Sequence, residues 1–126
     1  MATVLVVDDE ECIRRLLNIA LTKAGYDVLT ASNGEQGYTI ARSVHPDLIL
    51  LDVNMPDISG VAICKLLKGD PKTSDIEVLL MTGGCLTEEQ AMEAGAKKLL
   101  RKPFSLRMLV EYINSLFASN RLAPVG

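Results

Sequence analysis

Asp8, Asp9, Asp52, Thr82 and Lys102 are the residues in this sequence whose types and neighbours suggest chemistry. The aspartates come directly after aliphatic runs: Val4-Leu5-Val6-Val7 precedes Asp8-Asp9, and Leu48-Ile49-Leu50-Leu51 precedes Asp52. Four apolar residues in a row fit a short strand buried on both faces, as in a parallel sheet. Asn54-Met55-Pro56 cannot continue a central strand. Asp52 is therefore placed where a buried strand ends and a loop begins. In an open parallel α/β sheet, that edge is where ligands bind.

Three carboxylates brought together repel, and the pKa of each rises unless something compensates. Mg2+ would relieve this, because it takes oxygen ligands and keeps several waters. Lys102 adds a compact positive charge suited to a phosphate oxygen. Thr82 offers a hydroxyl, and Gly83-Gly84 allow backbone N–H groups to approach closely. A carboxylate nucleophile, a metal, a lysine, a hydroxyl and free amides are the parts for phosphoryl transfer to an aspartate, with Asp52 attacking in line. Taken singly, each residue has a plainer reading. A strand-end aspartate is usually a turn former or cap, Asp8 and Asp9 would favour a helix dipole, and Glu10-Glu11 reads as a helix first turn. Met55 and Met81 read as packing, Phe104 and Phe117 as core, and His45 as a surface residue.

The rest of the chain supplies the elements that would bring these residues together. Val4 to Val7 is the first strand. Ile13, Leu16, Leu17, Ala20, Leu21 and Ala24 recur at helical spacing, and Gly25 closes that helix. Tyr26 to Thr30 is the second strand. Asn33 and Gln36 resemble a capping box, opening a helix with Ile40, Ala41 and Val44 on one face. The third strand ends in Asp52. Ser59 caps a helix with Ile63, Leu66 and Leu67 on its inner face. Ile76 to Met81 is the fourth strand, and Thr87 to Ala94 a short helix. Ala96 to Leu100 or Arg101 is the fifth strand. Ser105 caps a last helix with Leu106, Leu109, Val110, Ile113, Leu116 and Phe117 on its core face.

This alternation implies a doubly wound, flavodoxin-like α/β domain with a five-stranded parallel sheet, order 2-1-3-4-5. In that order strands one and three are neighbours, so the three aspartates meet, flanked by Thr82 and Lys102. The domain spans residues 1–119, and 120–126 read as a flexible tail.

Composition narrows the function classes. The 126 residues carry a net charge of −3 and no basic stripe, which argues against direct nucleic-acid binding by this segment. The aliphatic runs are too short to span a membrane, and the N-terminus does not read as a secretory signal. Three widely spaced cysteines, Cys12, Cys64 and Cys85, do not suggest a disulfide framework or zinc site, and a cytoplasmic location is expected. His45 is the single histidine, so chemistry needing a His pair is excluded.

Asp8-Asp9, Asp52 with Met55-Pro56 and Gly60, Thr82, and Lys102-Pro103-Phe104 occur in order at successive strand ends. In this the chain resembles response-regulator receiver domains, of the chemotaxis-regulator kind, up to about Phe117. The resemblance implies a two-component signalling module. Asp52 would accept a phosphoryl group from a phosphohistidine on a sensor histidine kinase or phosphotransfer protein. Asp9, Asp52 and the backbone carbonyl of Asn54 would bind Mg2+, with Asp8 helping through water. Lys102 and Thr82 would contact the phosphoryl group, and Lys102-Pro103 would be a cis peptide.

On the same resemblance, phosphorylation would switch a surface that a downstream protein reads, the chain acting as a monomer or weak dimer. It would catalyse its own phosphorylation and dephosphorylation without being an enzyme on a separate substrate. Two departures concern the switch. Leu99 stands where the family usually has Tyr or Phe, and the Thr82-to-Lys102 interval is about two residues short of the family pattern. The competing classes are a small aspartate-nucleophile phosphatase, which typically wants Asp-x-Asp where this chain has Asp52-Val53-Asn54, and an unphosphorylated docking module. A stand-alone receiver and a receiver from a longer regulator both fit the sequence.

Overall fold

The computed structural model describes residues 2–118. Among them, five strands and five helices alternate. They are β1 (Thr3–Val7), α1 (Glu11–Lys23), β2 (Asp27–Ala31), α2 (Gly34–Val44), β3 (Leu48–Asp52), α3 (Gly60–Gly69), β4 (Glu77–Thr82), α4 (Glu88–Glu93), β5 (Lys98–Arg101) and α5 (Leu106–Ala118). The strands form one parallel sheet in the order β2-β1-β3-β4-β5. The expected doubly wound topology is therefore present. The proposed tail lies outside the described residues.

The strands' period of two divides the core in two. Leu5, Val7, Ile49, Leu51, Val78, Leu80 and Leu99 point to one face, where Ala41 of α2, Ile63, Cys64 and Leu67 of α3, and Ala91 of α4 cover them. Val4, Val6, Leu48, Leu50, Leu79 and Met81 point to the other, against Leu17 and Leu21 of α1 and Leu109, Ile113 and Leu116 of α5. The centre of the sheet is β3, and all five of its residues are buried. That explains its unbroken apolar run.

Several boundaries differ from the sequence expectation, each for a local reason. Tyr26 donates its N–H to Leu21 O and closes α1, so β2 begins one residue later. Ile76 donates to Thr73 O in a turn, so β4 begins at Glu77. Ala96 donates to Ala91 O, which delays β5 to Lys98. Asn33 caps α2 through Gln36 N–H, but the Gln36 side chain accepts from Ser32 N–H rather than Asn33, so the predicted box is not formed. A reciprocal box occurs instead at α4, between Thr87 and Gln90.

Leu16, Leu66 and Val44 are about half exposed, although the sequence pattern grouped them with core residues. Leu16 and Leu66 each precede a buried leucine, and adjacent residues lie about 100° apart around a helix. Phe104 and Phe117 are only partly buried, packed on the rim of the second cluster.

Candidate functional site

Val7 pairs with Leu51, so Asp8 and Asp52 leave adjacent strands side by side. Both are buried, at 0% and 2% exposure. Lys102, after β5, lies across β4 from them. Its backbone N–H is held by Thr82 O at 2.8 Å, and the Lys102-Pro103 peptide is cis, as expected. From there Lys102 Nζ reaches Asp8 Oδ2 at 2.9 Å and Asp52 Oδ1 at 3.5 Å. The lysine thus bridges the two buried carboxylates.

Burial, and then the charge of Asp8, push the Asp52 carboxyl up from 3.8 to about 6, against the opposing pull of Lys102. Burial alone would lower the Lys102 pKa. Its hydrogen bond and charge contact with Asp8, then the charges of Asp52 and Glu10, outweigh that and leave it raised. The lysine therefore stays cationic in a pocket that still holds excess negative charge.

The loop after Asp52 is fastened on both sides. Gly60 opens α3 and donates its N–H to Val53 O at 2.9 Å. A Cβ at Gly60 would lie 2.1 Å from the Asp52 carbonyl oxygen, so only glycine lets α3 start this close to the Asp52 backbone. Asp57 accepts from Gly34 and Glu35 N–H, both at 3.0 Å, tying the loop to the first turn of α2. Asn54, in this loop, is exposed and points its own N–H at Asp52 Oδ1, at 3.3 Å.

Of the expected site residues, Asp8, Asp52 and Lys102 come together. Asp9 sits beside them but is exposed. Carboxylate oxygens of Asp8, Asp9 and Glu10 lie within 4.8 Å of one another. This hard, anionic oxygen set next to the raised carboxyl of Asp52 has the donor chemistry that Mg2+ takes. Thr82 is buried, at the end of β4, and its hydroxyl accepts from Gly84 N–H at 3.0 Å. Leu99 is 6% exposed and belongs to the core, below the site.

Two residues escaped the sequence reading. Glu10 is the N-cap residue of α1, not part of its first turn, and its Oε1 lies 3.7 Å from Lys102 Nζ. Its signal was the unbroken acidic run from Asp8. Arg101 donates to the Gly84 and Leu86 carbonyls, at 3.3 and 2.7 Å.

A buried acid pair bridged by a lysine, at the switch point of a 2-1-3-4-5 sheet, defines a class of doubly wound domain with an anionic pocket at its C-terminal edge. Residues 4–114 match the response regulator receiver domain family, and the chain belongs to it. Over 126 residues it is 36% identical to the DNA-binding dual master transcriptional regulator RpaA of Synechocystis sp., covering 98% of this chain and 52% of that protein. It is 42% identical to the probable transcriptional regulator ycf27 of Porphyra purpurea, covering 90% of this chain and 46% of that protein. The chain thus spans about half the length of the curated relatives it matches. Among solved structures it is similar to the chemotaxis response regulator CheY4 of Vibrio cholerae, with TM-score 0.85, 31% identity, and coverage of 92% of this chain and 98% of that one. Receivers of this family serve phosphorylation-dependent two-component signalling.

Proposed function

We propose that this receiver acts in the cytoplasm with Asp52 as its phosphoacceptor, taking its phosphoryl group from a phosphohistidine on a sensor histidine kinase or phosphotransfer protein. The observation that carries this is Lys102 Nζ lying between Asp8 and Asp52 at the buried end of β3. An Asp52 oxygen attacks phosphorus, an O–P bond forms, and the N–P bond breaks. Its electron pair stays on the imidazole nitrogen of the donor, which takes up a proton.

On this reading Lys102 balances charge on the phosphoryl oxygens, and Thr82 donates its hydroxyl proton to one of them. Asp9, Asp52 and the Asn54 carbonyl would hold Mg2+, with Asp8 helping through water. Bound there, the ion supplies Lewis-acid charge neutralisation for the transfer. The same residues would serve hydrolysis of the acyl phosphate, so the chain turns over its own phosphate rather than a separate substrate.

An apolar groove of about 490 Å³ begins at Lys102, lined by Ile13, Leu16 and Leu17 of α1 and by Pro103, Phe104 and Leu106. It offers a donor protein a landing surface beside the nucleophile, and it accounts for the exposure of Leu16. The transferred phosphate adds about two negative charges and shifts the balance between surface states read by a downstream protein.

The test is intact mass after incubation with Mg2+ and acetyl phosphate. The parent chain gains one phosphate and Asp52→Asn does not. No gain in the parent, or an equal gain in the variant, sinks the assignment.

A further inference from the structure

The last rung of the β4–β5 ladder carries two polar residues. Leu80 pairs with Leu99 inside the core, and two residues on Thr82 pairs with Arg101 at the rim. The Arg101 guanidinium leaves its own strand and donates to two carbonyls of the β4–α4 loop, Gly84 O at 3.3 Å and Leu86 O at 2.7 Å. A planar, always charged fork suits two carbonyls better than a point charge does.

Gly84 faces both ways. Its carbonyl takes Arg101, and its N–H donates to Thr82 Oγ1 at 3.0 Å. The accepted bond fixes one lone pair of the hydroxyl and leaves its proton to be donated elsewhere. The loop between has little stiffness of its own. Gly83 and Gly84 are consecutive, and a Cβ at Gly83 would meet nothing within 4 Å. Two adjacent glycines have the largest backbone freedom to lose, so an untied loop samples many positions for the Gly84 amide.

We infer that Arg101 is a positioning residue for the Thr82 hydroxyl: by holding the Gly84 and Leu86 carbonyls it fixes the Gly84 amide on Thr82 Oγ1 and so aims the remaining proton. The tie is noncovalent and acts only through Thr82. It rests on the reading of Asp52 as phosphoacceptor, because the hydroxyl needs a phosphoryl group to meet. It also gives β5 a polar link to the loop next to Leu99, a side chain with no hydrogen-bonding group.

The test is a double-mutant cycle in the full chain, comparing the parent with Arg101→Gln, Thr82→Ala and the double variant. Gly84 amide exchange is followed by NMR without Mg2+, and phosphate uptake from acetyl phosphate with Mg2+ by intact mass. Arg101→Gln is expected to speed Gly84 exchange by about tenfold and slow uptake severalfold. In the Thr82→Ala background it is expected to slow uptake no further, since residues that act through one another are not additive.

Unchanged Gly84 exchange overturns the inference. So does an Arg101→Gln effect on uptake of the same size with and without the Thr82 hydroxyl. If the parent takes up no phosphate, the Asp52 reading fails by itself, and Gly84 exchange alone then decides whether Arg101 holds the loop.

Discussion

At the scale of single residues, Asp52 is held in a fold that disfavours its charge. Its pKa is about 6 in the folded chain and 3.8 in the ordinary carboxylate. Between those values Asp52 holds its proton more firmly in the folded chain than in the unfolded one, so its own contribution to stability falls as pH rises through that window and stays lower above it. Asp52→Asn removes the buried charge. Without metal, it is expected to be more stable than the parent at pH 7.5 by on the order of 1–2 kcal/mol, with the difference vanishing near pH 4. Urea unfolding in EDTA at both pH values checks this, and an equal gain at pH 4 would show the effect is not electrostatic. Asp8, Asp52 and Lys102 were legible in the sequence because each stands at the end of a strand whose apolar run is itself legible. Glu10 was not, because an acid following two others at the head of a helix reads as dipole complement. Arg101 left no trace either. Its partners are backbone carbonyls 17 and 15 residues back, and a carbonyl has no residue type to recognise.

At the scale of elements, the site depends on how closely α3 approaches β3. Gly60→Ala would put a methyl group 2.1 Å from the Asp52 carbonyl oxygen, a backbone atom that cannot rotate away. The helix or the strand end must shift. The variant is expected to lose about 1–3 kcal/mol of stability and to slow phosphate uptake, since the Asp52 carboxylate, the proposed acceptor, moves with its backbone. Denaturant melts and the acetyl phosphate assay read the two effects separately, and a stable Gly60→Ala with parental uptake would show the contact is not tight. This dependence was only half visible beforehand. A glycine eight residues after an aspartate could be placed at a helix start, but not at a carbonyl. Strand starts were misplaced for a similar reason. Tyr26, Ile76 and Ala96 have strand-like neighbours, yet their N–H groups are taken by turns behind them, and hydrogen-bond partners rather than propensity set where pairing begins.

At the scale of the whole molecule, the strand order gathers every chain reversal that matters at one edge. That order was readable because β-α alternation and crossover handedness leave few topologies. Which helix residues the sheet leaves uncovered was not, because Leu16 is exposed by the groove it lines. The excess charge at the edge predicts that a divalent cation stabilises the entire fold by linkage. At a hundredfold excess over its dissociation constant, Mg2+ is expected to add about 2.7 kcal/mol to the parent, and much less to Asp9→Asn. Thermal melts across a Mg2+ titration measure this, and parallel curves for the two chains would remove Asp9 from the ion's ligands.

The placement of the three thiols has a practical consequence at the same scale. Cys64 is buried, bonds Ala94 O at 3.3 Å and has its thiol pushed up to about 11, so alkylating reagents will pass it over. Cys12 on α1 and Cys85, between the two residues whose carbonyls Arg101 holds, are exposed. One thiol thus lies just after the β1 acids and the other in the loop after β4. Spin labels on these native side chains would make the unmutated chain its own distance gauge across the acid pocket.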